Sequence, residues 1–294
     1  MPDVMKTIAI LYGGPSAERE VSLSSGKAVA KAIDALGHRG VLIDAGDDLV
    51  ERLRETKPDV VFNALHGRWG EDGCVQGILE WLHIPYTHSG VLASAVAMHK
   101  PKAKEVFAAA GIRCAEGKII TDINDAFEPP FVLKPLNEGS SVGVTIVHTS
   151  ADMPASLPSK EVLIERYVPG REIQVAVLDD AALGAIEIVP KSGFYDYEAK
   201  YTDGKAQHLM PAPLEKAQYE EVCELALRAH VALGCRGLTR SDFRLSEAGD
   251  FYILETNTQP GMTPLSLAPE IAAHGGMSFA QLVARLIDGA CLDG

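Results

Sequence analysis

The chain has 294 residues, 47% of them hydrophobic and 23% charged, too many for one typical core, so two or three globular domains are expected. A net charge of -13 excludes a broad nucleic-acid footprint or a docking face for anionic membrane, since both need clustered lysine and arginine, and any anionic ligand must be met locally. The five cysteines (Cys74, Cys114, Cys223, Cys235, Cys291) are odd in number and form no CxxC pair, which argues against a disulfide framework or zinc site and predicts reduced, mostly buried thiols.

The first ninety residues alternate strand and helix. KTIAIL (6–11) reads as a short apolar strand, GGPSAERE as a glycine-led loop, and 21–36 as a helix stopped by Gly37. GVLID (40–44), a helix near 47–57 and DVVFNAL (59–65) continue the pattern. Such alternation predicts a parallel sheet with ligands at the carboxyl ends of its strands, beside GGPSAEREVS and HGRWGEDG (66–73). Residues 89–110 read as helix interrupted at Pro101. FVLKP (131–135) and VTIVH (144–148) read as a hairpin with the tip LNEGSSVG, and 161–178 as two strands broken at Pro169-Gly170. LGAIEIV (183–189), an aromatic polar stretch (191–207), a helix near 215–233, a hairpin within RSDFRLSEAGDFYILETNTQPGM (240–262) and a helix from about 278 complete the chain.

The last hairpin carries charge that an ordinary strand pair does not need. Alternation puts Arg240 and Asp242 on one face and Phe243 and Leu245 on the other. In the partner strand Glu255 and Asn257 share a face, with Tyr252 and Leu254 opposite. A symmetric turn at 247–250 would set Asp242 across from Glu255 and Arg240 across from Asn257. Two carboxylates and an amide carbonyl are hard oxygen ligands suited to Mg²⁺. These residues alone equally permit a pair with one wet face. The EGSSVG tip offers backbone N–H groups and hydroxyls to an anion but lacks the P-loop lysine, so a surface loop remains open as a reading. Lys134 at the end of FVLK either reaches an anion or snorkels. Glu165 and Glu172 flank RYVPG as either site residues or a solvated edge. Glu18 opens a helix, where a carboxylate is favoured by the dipole or could hold a substrate ammonium. His66, Glu71 and Asp72 make a loop richer in polar groups than a turn requires, and YDYEAKY (195–201) is either a lid or an aromatic surface loop.

In order, YGGPSAEREVSLSSG, LHGRWGEDGCVQGILE, FVLKPLNEGSSVG, FYDYEAKY, GLTRSDFRL and LETNTQPGMTPLS resemble the motifs of the D-alanine:D-alanine ligases, members of the ATP-grasp superfamily, from about residue 7 to 285. The resemblance implies an α/β plus α+β fold: a pre-ATP-grasp α/β domain over 1–90, a small central α+β domain over 91–168 and a C-terminal α+β domain over 169–294, with ATP between the last two. It implies ATP-dependent joining of two D-alanine molecules through a D-alanyl phosphate, for peptidoglycan precursor synthesis. Asp242, Glu255 and Asn257 match the metal ligands, for two Mg²⁺ ions that Mn²⁺ could replace; a monovalent cation is a further expectation. Arg240 matches the arginine on the transferring phosphoryl group. Lys100 and Lys134 match the phosphate lysines, and Ser140 and Ser141 lie in the loop over the phosphates. Glu165, the Tyr167-Val168 backbone and Glu172 match the adenine and ribose contacts, and Lys200 is a further nucleotide contact. Glu18 matches the acid that holds the first ammonium, with Ser140 and Tyr201 as partners and His66 as a first-subsite group. Gly261 and Ser266 match contacts to the second D-alanine.

The chain departs from the family pattern at Trp69, where glycine is common, at Asn137 and at Arg166. The tyrosine of YEAKY is the form found in dipeptide ligases rather than the D-lactate variants. Two other functions stay open at this level: an ATP-grasp carboxylate-amine ligase with a different acceptor, and a non-enzymatic nucleotide-binding module. The resemblance also implies a homodimer. With no leader peptide pattern and no apolar run of the roughly 18 residues a membrane span needs, a cytoplasmic location is expected.

Overall fold

Apolar strands separated by amphipathic helices close into a parallel sheet at the start of the chain. The computed structural model describes residues 5–137, 143–190, 206–263 and 266–293. Strands β1 (Thr7–Tyr12), β2 (Arg39–Asp44) and β3 (Val60–Asn63) run parallel in the order β2-β1-β3, joined by α1 (Arg19–Ala35) and α2 (Leu49–Thr56). Successive β1 side chains enter different cores: Ile8 and Ile10 pack with Val29 and Ile33 of α1, Ala9 and Leu11 with Leu49, Leu53 and Leu79. A parallel sheet needs such burial on both faces.

Helices α3 (Cys74–Trp81), α4 (Val91–Met98) and α5 (Lys100–Ala109) follow. The break expected at Pro101 falls at His99, whose Nδ1 accepts the Lys102 N–H at 3.3 Å, and Pro101 sits in the first turn of α5, where a missing N–H costs nothing. A four-stranded antiparallel sheet comes next, in the order β4-β7-β5-β6: β4 (Gly117–Ile120), β5 (Phe131–Lys134), β6 (Thr145–Val147) and β7 (Val162–Arg166). Phe131, Leu133, Val162 and Ile164 give it a core of its own.

The two strands read from 161–178 belong to different sheets, so residues 167–170 link them. Strands β8 (Arg171–Leu178), β9 (Ala181–Pro190), β10 (Ala206–Leu209), β11 (Leu238–Leu245) and β12 (Phe251–Asn257) form an antiparallel sheet in the order β10-β9-β8-β11-β12. Helix α6 (Lys216–Ala232) covers one face with Phe107 of α5. Helices α7 (Leu267–His274) and α8 (Phe279–Asp288) cover the other, where Ile271, Leu282 and Leu286 share a core with α1. Sequence patterning had not shown α7, which has eight residues with Pro269 in its first turn. The cysteines are free thiols as expected, but Cys74 and Cys291 are exposed and the other three only half-buried.

Two histidines are buried as neutral groups. His88 is 2% exposed, neither ring nitrogen has a well-formed hydrogen bond among the described residues, and burial pushes its pKa down to about 3, with the Leu238 backbone opposing. Burial likewise pushes His230, bonded through Nδ1 to Thr239 Oγ1 at 2.8 Å, down to about 4. The unfolded chain protonates both near 6.5, so below that value it binds more protons than the fold and stability is lost as the pH drops. Glu71, raised to about 7 by burial, acts in the opposite sense. His88→Asn keeps Glu71 and His230 and suits the backbone there, at φ 67. In denaturant melts the stability gap between wild type and this variant should shift in favour of the variant by about 2 kcal/mol from pH 8 to pH 5; a constant gap contradicts burial as a neutral imidazole.

Candidate active site

The hairpin of β11 and β12 has the expected register where the charges lie: Arg240 opposite Asn257, Ser241 opposite Thr256, Asp242 opposite Glu255. The Ser246 N–H to Asp250 carbonyl bond of 2.9 Å closes its turn. Between these ends the register shifts, because Phe243 pairs with Ile253 and leaves Leu254 over. This bulge corrects the simple alternation, which put Leu254 on the face opposite Glu255; Leu254 lines the same cavity as Glu255 and Asp242. Phe251 and Ile253 can therefore enter the core with Phe243 while Asp242 and Glu255, a few residues on, face the cleft.

On the cleft face Arg240 donates to Asp242 through two bonds, Nε to Oδ1 at 2.7 Å and Nη2 to Oδ2 at 3.0 Å. Lys100 Nζ lies 3.6 Å from Glu255 Oε2. The Asn257 Oδ1 accepts the Gln259 N–H at 2.8 Å. Two carboxylates and an amide oxygen here suit a hard divalent cation that takes its other ligands from elsewhere. No group of three or more His, Cys, Asp or Glu able to hold a metal occurs among the described residues.

The cavity behind this face, about 680 Å³, is lined by Lys100, Lys134, Glu165, Tyr167, Val168, Glu172, Asp242 and Glu255, so the expected nucleotide residues among those described meet two of the three expected metal ligands in one place, while Asn257 and Arg240 stand outside this lining. Glu165 and Glu172 are buried rather than a solvated edge. Lys134 reaches Glu165 Oε2 at 2.6 Å, and Lys104 takes its other oxygen and the Ala115 carbonyl. Burial alone would raise the Glu165 pKa, but Lys134 and Lys104 overcome it and hold the carboxyl below its ordinary value. Burial would likewise lower Lys134, yet Glu165 keeps it above the usual lysine value. Glu172 accepts from Gln174 at 3.1 Å and faces Arg244 at 3.7 Å. Arg244 also donates to the Val168 and Gly170 carbonyls at 3.2 and 2.6 Å, and Arg171 grips Glu187 by two bonds of 2.8 and 2.6 Å.

On the side of the parallel sheet, Glu18 is the buried N-cap of α1. The backbone of Gly67 is left-handed at φ 69, which favours glycine, and a Cβ there would come within 2.9 Å of Glu18 Oε1 and push that carboxylate aside. His66, expected to meet the first substrate, is 4% exposed, and both ring nitrogens bond within the protein: Nε2 with Ser25 Oγ at 3.0 Å, Nδ1 with Glu71 Oε1 at 3.1 Å. The backbone of Trp69 is left-handed at φ 74, which explains why glycine is common there; Arg68 stacks over its indole at 4.6 Å. Gly261 and Ser266 are neighbours, as a Cβ on Gly261 would sit 2.7 Å from Ser266 Oγ. The expected Ser140, Ser141, Lys200 and Tyr201 lie outside the described residues.

Six residues were missed. Arg244 shares the alternating face of Arg240 and Asp242, and Lys104 stands one helical turn past Lys100, so both had a local signal. The Arg171–Glu187 pair, Gln259 (Nε2 to the Leu65 carbonyl) and Ser25 (accepting the Met262 N–H at 3.2 Å) had none.

Residues 44–89 match the family model described as D-ala D-ala ligase N-terminus, and 100–288 the one described as D-ala D-ala ligase C-terminus. The D-alanine–D-alanine ligase of Ruegeria pomeroyi is 54% identical over 97% of this chain and 96% of its own length. That of Paramagnetospirillum magneticum is 53% identical over 98% and 99%. Among solved structures, a D-alanine–D-alanine ligase from Bacillus anthracis complexed with ATP superposes with a TM-score of 0.85 at 32% identity, covering 98% of this chain and 97% of that one. The VanG D-Ala:D-Ser ligase of Enterococcus faecalis gives 0.82 at 29%, covering 97% and 99%. A cleft of paired ions between two antiparallel sheets, a buried acid opening the first helix of the parallel-sheet unit, and sequence agreement along nearly the whole chain lead to one assignment: this chain belongs to the D-alanine–D-alanine ligase family, with its ATP-grasp fold.

Proposed function

We propose a division of labour among these residues for the family's reaction, the ATP-dependent joining of two D-alanine molecules into D-alanyl-D-alanine through a D-alanyl phosphate. The observation that carries it is the register that faces Asp242 with Glu255 on the wall of the cavity and, two residues further along the hairpin, Arg240 with Asn257. Asp242, Glu255 and Asn257 would hold Mg²⁺, which, when bound, offsets the negative charge gathering on phosphate oxygens during transfer. Arg240 lies beside Asp242 and is aimed by two bonds, so its guanidinium is held in place for a phosphoryl oxygen. Lys100 and Lys134 add positive charge on the same wall. The adenine and ribose fall to Glu165, Tyr167, Val168 and Glu172 around the 167–170 link.

Glu18 holds the first ammonium. His66, with both nitrogens engaged, supports that subsite from behind rather than touching the substrate. Gly261 and Ser266 meet the second D-alanine, whose amine attacks the acyl phosphate carbon and displaces phosphate. Ser140, Ser141, Lys200 and Tyr201 complete the phosphate and first-substrate contacts by the family match. The three-domain division at 90 and 168, a homodimer and a cytoplasmic location belong to the same proposal. Among the described residues no helix is long and apolar enough to cross a membrane.

Asp242→Asn removes one of the two facing carboxylates and should lower D-alanine-dependent phosphate release about a thousandfold, as loss of a preorganised charge does. A rate within a few-fold of wild type contradicts the metal assignment. Arg244→Leu frees the Val168 and Gly170 carbonyls from their clamp. It should raise KM for ATP about tenfold, the effect of losing one charge-assisted hydrogen bond, and leave KM for D-alanine within twofold. An unchanged KM for ATP removes Arg244 from the nucleotide site.

A further inference from the structure

The substrate half of the cleft is built from two parts of the chain far apart in sequence. The loop that follows β12 carries Gly261, and it rests on the loop after β3 through Gln259, bonded to the Leu65 carbonyl, and on α1 through Met262, whose N–H meets Ser25 Oγ at 3.2 Å across 237 positions. Ser25 lies on α1 and is fully buried. We propose that Ser25 is a positioning residue for the second-substrate loop, held in one orientation by a directed hydrogen-bond relay from Met262 through Ser25 and His66 to Glu71. This rests on the reading of Gly261 and Ser266 as the second-D-alanine contacts.

The direction follows from which groups can donate. An amide N–H only donates, so Ser25 Oγ accepts from Met262. The hydroxyl has one proton to give, and its other partner is His66 Nε2 at 3.0 Å. Nε2 is therefore the acceptor, the ring proton sits on Nδ1, and Nδ1 donates to Glu71 Oε1 at 3.1 Å. Each member fixes the next: Glu71 selects the tautomer, the tautomer turns the hydroxyl, and the hydroxyl presents a lone pair to the loop. Met262, Ser25, His66 and Glu71 are all buried, so water does not replace a lost link. The Met262 N–H shares a peptide plane with the Gly261 carbonyl. Holding that plane limits how far the adjoining Gly261 N–H can turn from the second substrate. Ser25 touches no substrate under this proposal, and since Glu71 still holds the His66 ring when Ser25 is removed, the effect should fall on the second D-alanine rather than on the first subsite that His66 backs.

The test separates the two D-alanine affinities in steady-state kinetics of Ser25→Ala, with Ser266→Ala as the control for the subsite. Ser25→Ala should raise KM for the second D-alanine about tenfold, leave KM for the first within twofold and leave the melting temperature within a few degrees. If Ser266→Ala raises the second KM and Ser25→Ala does not, the relay is overturned and the subsite stands. If Ser266→Ala leaves the second KM unchanged, the subsite reading itself has failed, and the proposal with it. A loss of melting temperature with both KM values moving together would mark Ser25 as merely structural and also overturns the proposal. In the wild type, ¹⁵N spectra of labelled histidine should show His66 neutral with its proton on Nδ1; a ring protonated at Nε2, neutral or charged, contradicts the relay.

Discussion

Asp242 and Glu255 stand directly across an antiparallel pair, where two like charges repel and weaken the sheet unless cations stand beside them. Arg240 and Lys100 supply those cations within the protein. The same solution recurs through the cleft: Glu165 between Lys104 and Lys134, Glu172 facing Arg244, Glu187 gripped by Arg171. Buried pairs of this kind add little net stability, yet removing one partner is costly because it strands the other. What they add is position. A chain of net charge -13 thereby keeps a group of oriented cations, each already held by a carboxylate.

The hairpin achieves this with one irregularity. In regular alternation Ile253 and Glu255 would share a face, and either the isoleucine would leave the core or the glutamate would enter it. The extra residue at Leu254 turns the strand's phase between them. Core packing and cleft chemistry are thus settled independently on one short strand. In the proposed division of labour the 167–170 link plays a comparable part for the nucleotide, since it joins the two antiparallel sheets and is tied to β11 by Arg244.

Much of this was legible in the residues. Strand–helix alternation over 6–65 is strong because buried parallel strands are continuously apolar, and the parallel sheet formed there. The facing of Asp242 with Glu255 followed from the turn at 247–250 and a period of two. The bulge did not, because one extra residue leaves no mark in composition. Helix α7 was missed because eight residues with an early proline give little periodicity. The break between α4 and α5 was misplaced by two residues, since proline is as welcome inside a first turn as it is disruptive later. In the site, residues that act through a local face could be found. Those that act through long-range bonds, such as Ser25 with Met262 or Gln259 with Leu65, depend on a fold that no local pattern encodes.

The central claim is that the facing carboxylates of one hairpin gather a divalent cation and nucleotide phosphates on the wall of a single cavity. A crystal of the protein grown with Mn²⁺ and a non-hydrolysable ATP analogue, measured at the manganese absorption edge, tests it most directly. The account predicts anomalous density among Asp242, Glu255, Asn257 and the phosphate oxygens, with the adenine beside Val168. Manganese bound elsewhere, or phosphates lying away from the β11–β12 hairpin, would contradict it.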